Sequence, residues 1–229
     1  MLDPRNIIGE PESPEDAREI QIELARELKF GTQFRNVAGV VVRVSKDDKR
    51  AYVAATVVST TNWRPISQQL KVFDVERPYD PELLGWRVGE FMVGTLRHLP
   101  VEPDVIFVEG NGIAHPRKFG LASHVGYRLD HPTIGVAPLW PRGCRELPAT
   151  VEKRRGSKTV LLHELSGDPL GHQVYTQINE DPIFVSPGHR ISVDEATNMA
   201  LRCSPWFRMP QPILEAEKAA VSFLKESEA

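Results

Sequence analysis

Three apolar stretches follow one another in the first third of the chain and predict three successive β-strands, at residues 37–44, 51–58 and 70–75. The polar segment between the first two, SKDDKR at residues 45–50, is typical of a tight hairpin turn. Strands connected in this way indicate an antiparallel meander. Residues 13–28, ahead of the meander, combine a Ser or Asp cap and early acidic residues with helically spaced apolar residues, which predicts an amphipathic helix.

Beyond the meander the pattern changes to helices that alternate with short, wholly apolar strands. We predict a helix, a strand, a helix and a strand at residues 81–99, 105–108, 120–129 and 133–137, then strands at 159–162, 173–178 and 183–185, and helices at 192–202 and 214–226. The stretch 142–158, rich in charges with Pro and Gly, is expected to be the most flexible. The order βββαβαβ is that of the ribonuclease H-like architecture. The expected fold is therefore α/β: a mixed sheet flanked by helices in a single domain, residues 1–229, with its core at about 14–212 and a C-terminal helix at about 213–227.

Composition narrows the class of protein further. With 229 residues, 41% of them apolar and 26% charged, the chain is expected to fold as a globular domain. A net charge of −3 excludes a protein that coats nucleic acid or anionic lipid by bulk charge. Two cysteines cannot supply a disulfide framework, no apolar stretch is long enough to span a bilayer, and the N-terminus does not resemble a secretory signal. We therefore expect a cytoplasmic location and no membrane partner.

Two segments carry most of the functional information. The first is PDVIFVEGNGIAHPRKFGLASH at residues 103–124, continued by HPTIGVA at 131–137, and the second is VSPGHRISVDEA at 185–196. Together with VAG at 37–39, PYDP at 78–81 and GWR at 85–87, they closely resemble the endonuclease V family, nucleases directed at deoxyinosine in DNA and inosine in RNA. The resemblance extends from about residue 14 to about residue 212 and implies a ribonuclease H-like fold.

The resemblance also implies a metal site, and here the chain departs from the family. Family members hydrolyse a phosphodiester with Mg²⁺ or Mn²⁺, which bind carboxylates supplied by the first strand, the helix after the Pro-Tyr-x-Pro segment and the fourth strand. The matching positions here are Val41, Val88 and Glu109, so that one of the three is still acidic. A family lysine after Ile-Gly-Val-Ala is replaced by Pro138, which has neither charge nor amide donor. The metal at Glu109 is expected to bind weakly or not at all.

Two arrangements of the altered site follow from these substitutions. Arg43 shares a strand face with Val41, so its guanidinium either pairs with Glu109 and replaces the metal ion electrostatically or extends into solvent. A remnant catalytic site would consist of Glu109, His189 and Asp194.

The residues that the family uses to bind a nucleic-acid strand, by contrast, are largely kept. Matching positions implied to bind substrate are Pro78, Tyr79, Asp80, Pro81, Arg87, Gly110, Asn111, Gly112, His115, Arg117, Gly135 and Gly188. Tyr79 is the residue best able to stack on a base, and the glycines either bring backbone amides near a phosphate or base or only form a turn. Basic groups at 117–118 and 153–158 either bind phosphates or are simply solvated.

Three hypotheses about function follow. The chain is a nucleic-acid-binding protein, with DNA or RNA that contains inosine as partner, whose metal-dependent cleavage is lost or strongly reduced. Alternatively, it is an active Mg²⁺- or Mn²⁺-dependent nuclease with an altered metal site. In the third, the same fold serves as a protein-interaction module, with a protein partner and no metal.

Overall fold

The structure, a computed structural model, describes residues 34–146 and 152–227. One nine-stranded mixed sheet forms its centre, with strand order β3-β2-β1-β4-β5-β9-β8-β7-β6. The strands are β1 Asn36–Val44, β2 Arg50–Ser59, β3 Pro65–Asp74, β4 Val105–Glu109, β5 Thr133–Ala137, β6 Cys144–Glu146, β7 Lys158–His163, β8 Pro169–Val174 and β9 Ile183–His189. The four helices of the described part are α1 Leu84–Leu96, α2 Leu121–Leu129, α3 Val193–Arg202 and α4 Gln211–Ser227. The helix expected at residues 13–28 lies outside the described residues.

The pairing of β1 explains the architecture. β1 is antiparallel to β2 and parallel to β4, which in turn is parallel to β5. The predicted meander and the order βββαβαβ are confirmed, as is the α/β class with a mixed sheet flanked by helices. Parallel neighbours place the C-terminal ends of β1, β4 and β5 at one edge of the sheet, which is where ligand sites form in such folds.

The sheet is covered on both faces by helices. Val41 of β1 and Phe107 of β4 pack in one apolar cluster with Ile213 and Ala216 of α4. Their neighbours along the strands, such as Val40, pack on the opposite face in a second cluster with α1 and α2. Because successive strand residues alternate between faces, strands covered on both sides need an unbroken apolar sequence, as predicted for β4 and β5.

Several boundaries differ from the sequence prediction for physical reasons. β3 begins at Pro65 rather than at residue 70, because its first half is a polar, largely exposed edge strand that lacks an apolar run. β8 covers Pro169–Val174 instead of 173–178, and β6, only three residues long, was not predicted. The cap of α3 is confirmed, since Ser192 and Glu195 form a reciprocal capping box. Within the described residues, no helix combines the length and apolar character needed to cross a bilayer.

Candidate active-site cleft and strand-binding surface

The side chain of Glu109 lies at the C-terminal end of β4 and is held by Arg43 of the adjacent β1. The guanidinium donates from Nη1 to Glu109 Oε2 over 2.6 Å and from Nη2 to Oε1 over 3.1 Å. Such a two-pronged pair is the strongest geometry available to an arginine and a carboxylate. Of the two arrangements that the sequence left open for Arg43, the structure shows the pairing with Glu109 and not the extension into solvent.

A second carboxylate reaches the same guanidinium from α4. Arg43 Nε donates to Glu217 Oε1 over 3.1 Å, and Nη2 also contacts Glu217 Oε2. Glu217 is absent from the site residues predicted from the sequence. A signal was available, because the buried residues Ile213, Ala216 and Ala220 place position 217 on the sheet-facing side of the helix.

Val41 and Val88, the two positions at which the resemblance implies family carboxylates, do not face this cleft. Val41 is fully buried in the apolar cluster beneath α4, whereas Val88 is buried in the cluster on the opposite face. The cleft is instead lined by Arg43, Glu109, Pro138, Met209, Ile213, Leu214 and Glu217. Val41 and Val88 therefore lie in the core on opposite faces of the sheet and do not line one space together with Glu109.

The residues of the cleft do not fit the Mg²⁺ or Mn²⁺ that the family resemblance implies. Such ions are held in proteins by carboxylate oxygens that are free to bind them, with water completing the coordination. Both Glu109 and Glu217 are already engaged by Arg43, and the side chains of Pro138, Met209, Ile213 and Leu214 contribute no oxygen. In the part of the chain that the structure describes, no three His, Cys, Asp or Glu side chains are grouped to hold a metal ion.

The proposed remnant site is also not assembled. His189 pairs with Thr133 at the start of β5, whereas Glu109 pairs with Val136, three residues farther along that strand. Because a strand rises about 3.3 Å per residue, His189 and Glu109 are roughly 10 Å apart along the direction of β5. His189 Nε2 lies 3.1 Å from Asp130 Oδ1, and Asp194 accepts from Lys158 Nζ over 3.1 Å. His189 and Asp194 therefore contact other partners and do not join Glu109.

The glycine loop after Glu109 is packed too tightly to be an open cradle. A Cβ atom on Gly112 would lie 2.1 Å from the carbonyl oxygen of Pro187, and one on Gly135 would lie 2.3 Å from the amide nitrogen of Gly112. The amides are used internally, since Gly110 donates to Val136 O and Gly112 to Ser186 Oγ. Close approach of β4, β5 and β9 explains these glycines, and Gly188 is similarly tight, with its Cβ position 2.3 Å from Thr133 Oγ1. Asn111, between the two loop glycines, is half-buried.

The Pro-Tyr-Asp-Pro segment presents an aromatic ring to solvent. Tyr79 is 66% exposed, and Pro78 and Asp80 beside it are also exposed, whereas Pro81 is half-buried. Arg87, expected among the strand-binding residues, is instead buried, with its guanidinium carbon 5.5 Å from the centre of the Tyr79 ring. The ring therefore rests on a buried cation that points away from solvent.

Arg87 is held by the hairpin turn between β1 and β2. Its Nη2 donates to Asp48 Oδ1 over 2.5 Å, and its Nε has no partner within the described ranges. Asp48 thus links the turn to α1. The arrangement predicts that Arg87 positions Tyr79 and does not itself contact a bound nucleic-acid strand.

His115 and Arg117 both converge on Glu82, next to the Pro-Tyr-Asp-Pro segment. His115 Nε2 lies 3.0 Å from the carbonyl oxygen of Glu82, and Arg117 Nη1 donates to the Glu82 carboxylate over 2.9 Å. Burial lowers the pKa of His115 below its usual 6.5, so the neutral ring is favoured. Arg117 is exposed but ion-paired, and a bound phosphate would have to compete with Glu82 for it.

The basic groups noted in the sequence are largely engaged by the protein itself. Lys118 pairs with Asp168. Arg155 donates to three backbone carbonyls, of Thr176, Ser204 and Leu201, and so closes the end of α3. Lys158 pairs with Asp194. Internal pairing therefore takes up much of the positive charge expected at 153–158.

Known proteins share this sequence pattern and this fold. The sequence profile of the Endonuclease V family matches residues 18–218. Endonuclease V of Gloeobacter violaceus is 35% identical over 209 residues, covering 89% of this chain and 83% of that protein. Endonuclease V of Methanothrix thermoacetophila is 37% identical over 202 residues, covering 87% of each protein.

Solved structures give the same result. The crystal structure of Endonuclease V from Streptomyces avermitilis matches with a TM-score of 0.79 and 34% identity, covering 96% of this chain and 97% of that one. Endonuclease V of Ciona intestinalis, in complex with a 24mer DNA containing an inosine followed by a ribo-adenosine, matches with a TM-score of 0.73 and 25% identity, covering 93% and 97%. On the fold, the motifs and these matches, the chain belongs to the endonuclease V family.

Proposed function

We propose that this protein binds inosine-containing DNA or RNA and that its metal-dependent cleavage of the phosphodiester is lost or strongly reduced. The observation that carries the proposal is the state of Glu109. The one family carboxylate kept among the three matching positions is held by both oxygens in the Arg43 guanidinium, while Val41 and Val88 lie in the core. Losing ligands and gaining a fixed cation both act against binding of a divalent ion.

The binding half of the proposal is supported by Tyr79 and by a relative. The relative from Ciona intestinalis was solved with DNA that contains inosine. In this chain Tyr79 offers an exposed ring of the kind on which an unstacked base packs. Recognition of a base outside its helix requires stacking and edge contacts, neither of which depends on a metal.

The second candidate function is cleavage of inosine-containing strands with an altered use of Mg²⁺ or Mn²⁺. The curated relatives at 35% and 37% identity are themselves called endonuclease V, and this favours retained activity. In this candidate Glu109 would have to exchange Arg43 for the metal when a strand binds.

A paired binding and nicking assay separates the candidates. Fluorescence anisotropy in EDTA compares a deoxyinosine duplex and an inosine single-stranded RNA with strands that carry guanosine at the same position. The same labelled strands are then incubated with Mg²⁺ or Mn²⁺ beside a family member with the full set of carboxylates. We expect tighter binding of the inosine strands and no nicking near the rate of the reference enzyme.

Two other outcomes are equally informative. Robust Mg²⁺-dependent nicking that Glu109→Ala abolishes would contradict loss of cleavage and establish the second candidate. Failure to bind any of the strands, at low and at high salt, would contradict the binding proposal and favour a protein partner on the same surface.

A further inference from the structure

Arg43 uses all of its hydrogen-bond donors within the cleft. A guanidinium has five N–H groups, and here Nε contacts Glu217, Nη1 contacts Glu109 and the carbonyl oxygen of Val42, and Nη2 contacts both glutamates. All four carboxylate oxygens of the two glutamates face this one group. The cation is therefore fixed at the point between the two carboxylates.

Partial burial makes this triad stronger than a surface ion pair. The side chains of Arg43, Glu109 and Glu217 are 29%, 25% and 33% exposed. Charges that are largely removed from water attract one another more strongly than solvated charges, and salt screens them less. Removing the arginine would leave two partly buried carboxylates facing each other, which is unfavourable.

The triad also joins elements that are far apart in sequence. Arg43 is on β1, Glu109 ends β4 and Glu217 is on α4, near the C-terminus of the chain. The apolar contacts of Ile213 and Ala216 hold the same stretch of α4 against the sheet. The guanidinium thus connects the helix to two strand ends at the rim of the cleft, where apolar packing gives way to solvent.

We infer that Arg43 is a built-in cation that occupies the place of a divalent ion between Glu109 and Glu217 and fixes α4 to the sheet. The inference concerns the cleft of the proposed function but does not depend on binding of inosine or of any nucleic acid. It implies that the folded protein is indifferent to divalent ions and that removing the guanidinium creates a site for one.

Thermal unfolding of the full chain, followed by circular dichroism in EDTA or in increasing Mn²⁺ or Mg²⁺, tests the inference. The parent Tm should not respond to either metal. Arg43→Ala should lower Tm in EDTA, and Mn²⁺ should raise it again by several degrees once the metal is roughly 100-fold above its Kd, because it binds the folded site alone. The double variant Arg43→Ala, Glu217→Gln should lose this response.

Two further variants serve as controls. Arg43→Lys keeps one positive charge but has three donors in place of five, so it should melt below the parent and still ignore Mn²⁺. Arg190→Ala removes an arginine from the exposed pair with Asp130, away from the cleft, and should give no metal response. Arg43→Gln is the second test variant, since its side chain is neutral yet polar and keeps more of the arginine stem than alanine does. Direct Mn²⁺ binding by equilibrium dialysis can replace the thermal unfolding experiment.

Two results would overturn the inference. In the first, Mn²⁺ raises the Tm of the parent and Glu217→Gln removes that increase, which would mean that a divalent ion already binds beside Arg43. In the second, Arg43→Ala and Arg43→Gln are folded yet neither is stabilised by Mn²⁺ nor binds it in dialysis. Strand binding and nicking are measured separately, so a failure of the proposed function is distinguishable from either result.

Discussion

Tyr79 and Arg87 show how a buried residue can hold an exposed side chain in place. The ring of Tyr79 is mostly exposed, while the arginine beneath it is buried and tied to Asp48. A cation close to an aromatic face restrains the ring and adds electrostatic attraction. Sequence matching placed Arg87 among the strand-binding residues, but it could not tell a contact residue from a supporting one, because that distinction depends on the distant turn residue Asp48.

Replacing Tyr79 tests the stacking role. Tyr79→Ala should weaken binding of inosine-containing strands by about 1–3 kcal/mol, the range for loss of one base–aromatic stack. Tyr79→Phe should bind nearly as well as the parent, because it keeps the ring. Tyr127→Ala removes a tyrosine of similar exposure, 68%, from α2 and is the matched control in the anisotropy assay. Equal losses for Tyr79→Ala and Tyr127→Ala would show that Tyr79 has no special role.

Among the elements, α1 and α2 are joined by a single carboxylate. Glu90 of α1 accepts from Arg128 Nε over 2.7 Å and from His124 Nε2 over 2.9 Å, both on α2. The hydrogen bond from Arg128, followed by that from His124, lowers the pKa of Glu90 from 4.5 to about 2. These partners could not be predicted from the sequence, because they meet Glu90 only when α1 and α2 pack together.

The depressed pKa of Glu90 predicts an acid-dependent contribution to stability. The folded state binds the proton more weakly than the unfolded chain, so the contribution is complete above pH 4.5 and disappears as the pH falls through about 2. Glu90→Gln should lower the free energy of unfolding at neutral pH by about 0.2–1 kcal/mol, since the pair is solvent-exposed. Urea unfolding between pH 2 and 6 should show the parent and variant converging in acid. Arg128→Gln should remove most of the same pH-dependent stability, because it removes the main partner of Glu90. A difference in the free energy of unfolding between parent and Glu90→Gln that stays constant at every pH would contradict the assignment of this pH dependence to Glu90.

Strand positions could be predicted from the sequence, whereas the role of the glycines between them could not. Apolar runs predicted β1, β2, β4 and β5 closely, because strands covered on both faces leave a continuous hydrophobic signal. The role of the loop glycines was ambiguous in the sequence, because close backbone packing and the approach of a ligand both require glycine. In the structure the packing requirement is explicit at Gly112, Gly135 and Gly188. Glu217 was missed for a related reason, since its partners are on strands far away in sequence.

A pair of glycine substitutions tests the packing requirement. Gly135→Ala would place a methyl group against the backbone of the glycine loop and should destabilise the protein by about 1–3 kcal/mol. Gly94→Ala, in α1, should instead stabilise it by about 0.5–1 kcal/mol, because its added Cβ meets only the Phe73 ring at 3.8 Å. Chemical denaturation measures both. Equal effects of the two substitutions would mean that the loop is not tightly packed against β5.

At the scale of the whole molecule, charge limits how the protein can bind a polyanion. The chain has a net charge of −3, and three basic residues around Glu82 and Asp168 are already ion-paired. Glu82 holds Arg117 at 2.9 Å and Arg142 at 3.8 Å, and Asp168 holds Lys118. A phosphate must therefore displace a carboxylate to reach any of these three cations. Binding by this surface should depend on salt only weakly, with a slope equivalent to about two or three phosphate contacts.

Releasing those cations gives the sharpest test of that surface. Glu82→Gln removes the ion pairs of Arg117 and Arg142 together, although Arg117 keeps its hydrogen bond to the backbone carbonyl of residue 82. Affinity for a nucleic-acid strand at low salt should therefore rise. Each phosphate that the freed arginines bind should steepen the plot of log affinity against log salt by about 0.7 for a single strand and 0.9 for a duplex. Glu102→Gln is the matched control, because it makes the same change in net charge near the N-terminal ends of β4 and β5, beside Pro103 and His131. It should leave the slope of log affinity against log salt unaltered. If both variants raise affinity equally, the protein responds only to total charge. If neither variant changes the salt dependence of affinity, Arg117 and Arg142 do not contact the bound nucleic acid, and the nucleic-acid-binding surface lies elsewhere on the molecule.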